Sequence, residues 1–98
     1  MIHYLKTWPE PFDDVARGLK TWEYRADDRG FRVGDALVLE FWDPSPDRLT
    51  GKPMGYQYVN GPEVLSASFE VTYILHGGRF GIPVGYCIMS IKAIEGEA

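Results

Sequence analysis

Three charged side chains stand close together in the stretch Gly18-Leu19-Lys20-Thr21-Trp22-Glu23-Tyr24-Arg25. Lys20 follows a glycine suited to capping a helix, and a lysine at such a junction can reach into a cleft rather than lie flat in solvent. Glu23 and Arg25 are two residues apart, so on a strand they share a face. A Glu and an Arg on a strand surface are ordinarily a solvated pair worth little. Beside Lys20 they also form a set of two cations and one carboxylate. The cations can hold phosphate or carbonyl oxygens, and the carboxylate can accept from an exocyclic amine. Local sequence leaves both readings open.

The remaining polar candidates are sparser. His76 lies between an apolar run and Gly77-Gly78, where it either holds the loop backbone or faces a ligand. His3 and His76 have no acid or thiol beside them in the pattern metal sites use, so no metal is expected. No Ser-His-Asp ordering, phosphate loop or dinucleotide fingerprint is present, and Gly77-Gly78 alone does not make a phosphate cradle. No cofactor is expected. Trp22, Tyr24, Tyr73 and Tyr86 offer stacking faces for a base, although in a chain this aromatic most of them are expected in the core.

Periodicity supplies the elements that must position these groups. Ile2 to Lys6 alternates as a first strand, with Ile2, Tyr4 and Lys6 on one side and His3 and Leu5 on the other. A two-turn helix is predicted from about Pro11 to Arg17: prolines at its start, acids Glu10, Asp13 and Asp14 towards its positive end, a stripe of Phe12, Val15, Ala16 and Leu19, and Gly18 as cap. A helix this short must lie on a sheet. Thr21 to Arg25 reads as the second strand, with Thr21, Glu23 and Arg25 opposite Trp22 and Tyr24. Gly34 suits a turn with positive φ before a third strand, Ala36 to Trp42, whose inward set is Leu37, Leu39 and Phe41. The region at about 43–63 holds four prolines and three glycines and reads as an irregular insert, with a short strand possible at Tyr56, Tyr58 and Val59. Ser66 to Leu75 is the clearest strand, Ala67, Phe69, Val71, Tyr73 and Leu75 forming one face. Gly85 to Ala93 is the last, with Cys87, Met89 and Ile91 opposing Tyr86, Ile88 and Ser90. One helix and five or six strands in one domain over 1–98 predict an α+β, mainly β fold. A small closed mixed barrel is preferred to an open sheet, which would leave two apolar edges uncovered.

Composition sets the outer limits. The chain has 98 residues, 45% of them hydrophobic, a formal net charge of −4 and one cysteine. Disorder and an internal disulfide are excluded, and a strong non-specific nucleic-acid binder is disfavoured. Cys87 is expected as a buried filler in a reducing, cytoplasmic setting. The leading residues do not read as a signal peptide, and no apolar run is long enough to span a membrane. Acids crowd Glu10 to Asp47, whereas Val71 to Ile94 has none while carrying His76, Arg79 and Lys92.

The spacing Gly18-x-Lys20-x-x-Glu23-x-Arg25 resembles the signature of the ASCH superfamily of PUA-like β-barrels. His3-Tyr4-Leu5-Lys6, Pro9, Phe12, Asp28-Arg29-x-Phe31-x-Val33-Gly34-Asp35 and Val71 to Gly78 further resemble a phage-associated, ASCH-related family of unknown function. The resemblance covers most of the chain apart from the 43–63 insert. It implies a PUA-like barrel with a cleft beside the helix–strand junction, and RNA or a modified nucleoside as the ligand. Carried over to this sequence, Lys20, Thr21, Glu23 and Arg25 would line the cleft. His3, Lys6, Tyr73, His76 and Arg79 are further contacts to examine.

One ASCH branch hydrolyses the acetyl amide of acetylated cytidine. This chain keeps the matching lysine, Lys20, but has Glu23 where that branch has a threonine, and it lacks the branch's later acid. If the protein is an enzyme, Lys20 and Glu23 are its catalytic candidates, Glu23 as general base and Lys20 polarising the carbonyl. A ribonuclease is a lesser reading. The binding module is preferred to an amidohydrolase, and a phage-type protein that binds a host protein through its acidic half is a third reading.

Overall fold

The computed structural model describes residues 1–94. The chain is mostly strand, with one short helix after the first strand. The order is β1 (Ile2–Thr7), α1 (Pro9–Ala16), β2 (Trp22–Ala26), β3 (Ala36–Pro46), β4 (Pro53–Tyr56), β5 (Tyr58–Val59), β6 (Glu63–Val64), β7 (Ser66–His76) and β8 (Tyr86–Ala93). Six strands form one sheet in the order β1-β3-β7-β8-β2, with β4 paired to β3, and β5 and β6 make a separate hairpin. Only the β1–β3 pairing is parallel within the main sheet.

One buried cluster lies against this sheet. Leu5, Leu37, Leu39, Phe69, Val71, Cys87, Met89 and Ile91 project into it from four strands, joined by Val15 and Phe31. The alternation in β1 holds: His3, Leu5 and Thr7 are buried and their neighbours are exposed. Cys87 is fully buried, and burial together with the nearby Asp27 and Asp28 pushes its thiol pKa up to about 11. It is therefore an inert filler.

No ladder joins the end strands β1 and β2 among the described residues. Arg25 of β2 and Arg29 of the loop that follows it reach across to β1 instead. Arg25 donates from Nη1 to the Lys6 carbonyl (3.0 Å), and Arg29 donates from Nη1 to the Tyr4 carbonyl (2.9 Å). The Met1 carbonyl accepts from Ala36 of β3, so alternation turns the carbonyls of residues 4 and 6 to the opposite edge, where the arginines meet them.

Helix α1 begins and ends earlier than its pattern predicts, at Pro9 and Ala16. Phe12 and Val15 are buried, and the Phe12 ring meets Phe41 of β3 edge-on at 5.6 Å between centroids. Leu19, expected on the same stripe, is exposed, because the chain turns at Gly18 (φ 75°). That turn is a complete helix stop. Gly18 N–H donates to the Val15 carbonyl, and Leu19 N–H donates to the Asp14 carbonyl.

Two other expectations are corrected. The 43–63 region is ordered as hairpins: β3 runs on to Pro46 and returns as β4 with Trp42 opposite Tyr56, and β5 and β6 follow. Pro46 and Pro53 stand at strand ends and Pro62 in a turn, while Pro44 falls within β3 where the pairing with β4 shifts register between Asp43 and Pro46. In β7 a bulge lies between Val71 and Tyr73, where Val71 faces Ile91 but Tyr73 faces Ser90. The extra residue, Thr72, reverses the alternation. Ile74 therefore packs on the core, while Tyr73, expected inward, is exposed.

His3 is fixed by the fold. Its Nε2 donates to Asp35 Oδ2 at 2.8 Å, and its ring meets Phe31 edge-on. The His3 hydrogen bond, opposed by burial and reinforced by the Arg32 backbone N–H, lowers the Asp35 pKa from 3.8 to about 2. A folded-state value below the unfolded one stabilises the fold above the ordinary carboxylate pKa, and this is lost as pH falls from 3.8 through 2. Chemical denaturation across an acid series should show wild type losing stability in this window more steeply than Asp35→Asn. At neutral pH Asp35→Ala should cost about 1–3 kcal/mol by leaving buried donors unpaired. Equal acid slopes would contradict the assignment.

Candidate functional site

Glu23 is the polar exception on the core-facing side of β2. It lies in register with Met89 of β8, and only 2% of its surface is exposed. An aliphatic residue would pack at this position without cost, whereas a buried carboxylate is tolerable only when paired. Both oxygens are engaged: Lys20 Nζ donates to Oε1 at 3.2 Å, and Arg25 Nε donates to Oε2 at 3.0 Å. The guanidinium goes on to the Lys6 carbonyl and, through Nη2, to Thr7 Oγ1 at 3.1 Å. Of its five N–H groups, one holds Glu23 and two hold β1 to β2.

The local chain explains why these groups meet. The helix stop at Gly18 brings the Lys20 N–H onto the Asp14 carbonyl (3.1 Å), which fixes the lysine backbone at the entrance to β2. Strand alternation then turns Glu23 and Arg25 inward together. Lys20 Nζ also sits 4.6 Å from the centre of the Trp22 ring, so one aromatic face and one carboxylate hold it.

These groups line an open cleft of about 220 Å³, together with Lys6, Thr7, Trp8, Pro11 and Tyr24. Lys20 also borders a second, larger hollow of about 480 Å³, which Gly18, Thr21, Glu63, Ser66 and Ser68 help to line. Thr21 belongs to that hollow, and Lys20 stands between the two. Glu23 is the one acid among the described residues lining the smaller cleft.

Lys20, Glu23 and Arg25 are thus brought together as the spacing predicts, but as a buried network rather than a solvated pair. The other candidates fall elsewhere. His3 is in the core on Asp35. Lys6 contributes its backbone carbonyl to the Arg25 network, while its ammonium lies 4.6 Å from the Trp42 ring centre and 5.7 Å from that of Tyr56. Tyr73 is turned outward by the bulge. His76 accompanies Asp27, its Nδ1 2.9 Å from Oδ2. Arg79 is exposed beside Phe80. Both histidines therefore have acid partners, 32 and 49 residues distant in sequence, where local reading finds none. The acid-free stretch Val71 to Ile94 contributes nothing to the lining of the smaller cleft. Gly77 serves packing, since a Cβ there would collide with the Pro83 and Tyr86 carbonyl oxygens.

Thr7, Trp8 and Pro11 escape a sequence reading. Their signal is the Trp8-Pro9-Glu10-Pro11 break, which ends β1 at the point where the chain must cross the cleft mouth. Trp8 is exposed at this rim and immediately precedes the helix.

The network carries a stability signature. Glu23→Ala leaves two cations facing a core position and should cost about 3–5 kcal/mol in chemical denaturation. Lys20→Ala, which leaves the carboxylate on Arg25, should cost clearly less. A loss below about 1 kcal/mol for Glu23→Ala would contradict a buried, paired carboxylate.

Comparison with known proteins adds family membership. No curated protein matches the sequence. A family model described as a domain of unknown function, DUF3850, matches residues 2–91, from β1 through most of β8 and including the whole of the smaller cleft. The chain belongs to the DUF3850 family.

Proposed function

We propose that the protein is a binding module for RNA or a modified nucleoside, and that the smaller cleft takes a single base. The observation that carries this reading is the Glu23 carboxylate, buried at the lining of the cleft and held between Lys20 and Arg25. A carboxylate offers about four lone-pair positions, and two are filled here. The remainder can accept from an exocyclic amine, as a carboxylate does for cytosine. Lys20 keeps N–H groups for a base carbonyl or a phosphate. Trp8 and Tyr24 flank this polar floor and supply stacking faces.

Size supports a small ligand. At about 220 Å³ the cleft falls below the roughly 300–1,000 Å³ typical of sites for drug-sized molecules. The acidic body (formal charge −4) argues for a specific local contact rather than general affinity for phosphate backbone. The resemblance to the ASCH signature names the same ligand class. It also suggests that the arginine-bridged sheet is a PUA-like barrel whose β1–β2 seam is closed by side chains.

Amide hydrolysis is the second reading, favoured by the direct contact between Lys20 and Glu23 at 3.2 Å. Binding is preferred because Glu23 is engaged by two cations and no second acid among the described residues lines this cleft to take part in proton transfer.

Titration of acetylated cytidine, followed by calorimetry and by assay of free acetate, tests both readings. Wild type should bind without releasing acetate, and Lys20→Ala should bind about tenfold more weakly or worse. Arg25→Ala is a poor probe, since it also unfastens β1. Unchanged affinity in Lys20→Ala would overturn the cleft assignment. Stoichiometric or catalytic acetate release would replace the binding module with the hydrolase.

A further inference from the structure

The four aromatic residues expected mostly in the core are all on the surface. Trp22 (47% exposed), Tyr24 (44%), Tyr73 (59%) and Tyr86 (41%) share the outer face of β2, β8 and β7. Register explains the grouping. Trp22 lies across from Ser90 and Ser90 from Tyr73; Tyr24 lies across from Ile88 and Ile88 from Leu75; and Tyr86 follows one step further along β8. The Tyr24 and Tyr86 rings stack at 5.3 Å with 20° between their planes. The bulge at Thr72 completes the patch, because without it Tyr73 would face inward.

This face adjoins the smaller cleft. Tyr24 helps to line it, and Trp22 is the ring beneath Lys20 Nζ. The ends of the face differ in charge. Ile91 N–H donates to the Thr21 carbonyl, and continuing the β2–β8 register sets Lys92 across from Lys20, so two lysines stand at the Trp22 end, with Glu70 of β7 across from Lys92. Asp27, which follows β2, marks the other. The composition is also distinctive. Three tyrosines and a tryptophan are rings with one polar edge, able to stay wet on one side and stack on the other.

We infer that this outer face is a stacking platform for single-stranded RNA, receiving the bases next to the one held in the cleft. The inference rests on the cleft reading and extends it from a lone nucleoside to a short strand. Base stacking on exposed rings tolerates any sequence, since every base has a π-face. Selectivity then resides in the cleft and most of the affinity for the strand in the platform.

Two probes separate the claims: acetylated cytidine monophosphate, and a uridine octamer carrying the same nucleotide at its centre. Wild type should bind the octamer at least about tenfold more tightly than the mononucleotide. Tyr73→Ser and Tyr86→Ser, both outside the cleft lining, should each weaken octamer binding about fivefold or more and leave mononucleotide binding unchanged. Circular dichroism of each variant establishes that the sheet is intact. Equal wild-type affinity for the two probes, or octamer binding unaffected in both variants, would overturn the platform while leaving the cleft standing. If wild type binds neither probe, the cleft reading fails and the platform with it. A wild-type dimer that either variant converts to monomer, with octamer binding unaffected, would reassign the face to self-association.

Discussion

The Arg25 guanidinium is the contact on which the arrangement turns. It joins a buried carboxylate on β2 to a backbone carbonyl and a hydroxyl on β1. Parallel pairing with β3 uses one edge of β1, and the other edge presents carbonyls that must find donors. Arg25 and Arg29 supply them. Because the end strands are tied by side chains rather than by a ladder, they stand apart enough to leave a cleft. The site is therefore a consequence of how the sheet is fastened and not an addition to a finished core.

Glu23 shows what that fastening asks of the sequence. A carboxylate facing Met89 is unfavourable for packing, and apolar replacement of such a network is often neutral or stabilising. Its presence beside a rim lysine and a pair of exposed aromatic residues makes sense as recognition chemistry. Polar groups set where packing favours apolar ones are the expected mark of a functional position. The acidic body, with a formal net charge of −4, confines the cations of this region to a small local set.

Much of the fold is legible in the sequence, and the rest fails for definable reasons. The alternations in β1, β2 and β8 correctly divide each strand into two faces, although Trp22, Tyr24 and Tyr86, expected mostly in the core, lie on the outer one, and Gly18 marks the helix stop that places Lys20. Tyr73 is misplaced because a bulge adds one residue to β7, and a period-two pattern carries no sign of where the count slips. The 43–63 region reads as irregular because its prolines hide two hairpins, one of them a continuation of β3. His3 looks like a rim contact because its partner, Asp35, is 32 residues away. At the site, spacing alone brings Lys20, Glu23 and Arg25 together, but it cannot show that the carboxylate is buried or that Arg25 reaches Thr7. Both depend on the packing of β1 against the far end of the sheet.

The most direct measurement of the central claim is a residue-resolved NMR titration of the isotopically labelled protein with a mixture of ribonucleoside monophosphates and acetylated cytidine. The account predicts that the backbone signals of Thr7, Trp8, Lys20, Glu23 and Arg25, with the indole signals of Trp8 and Trp22, shift together and saturate. Shifts confined to the β3–β4 hairpin, or to the His76–Arg79 loop, with the Lys20–Arg25 signals unmoved, would contradict it.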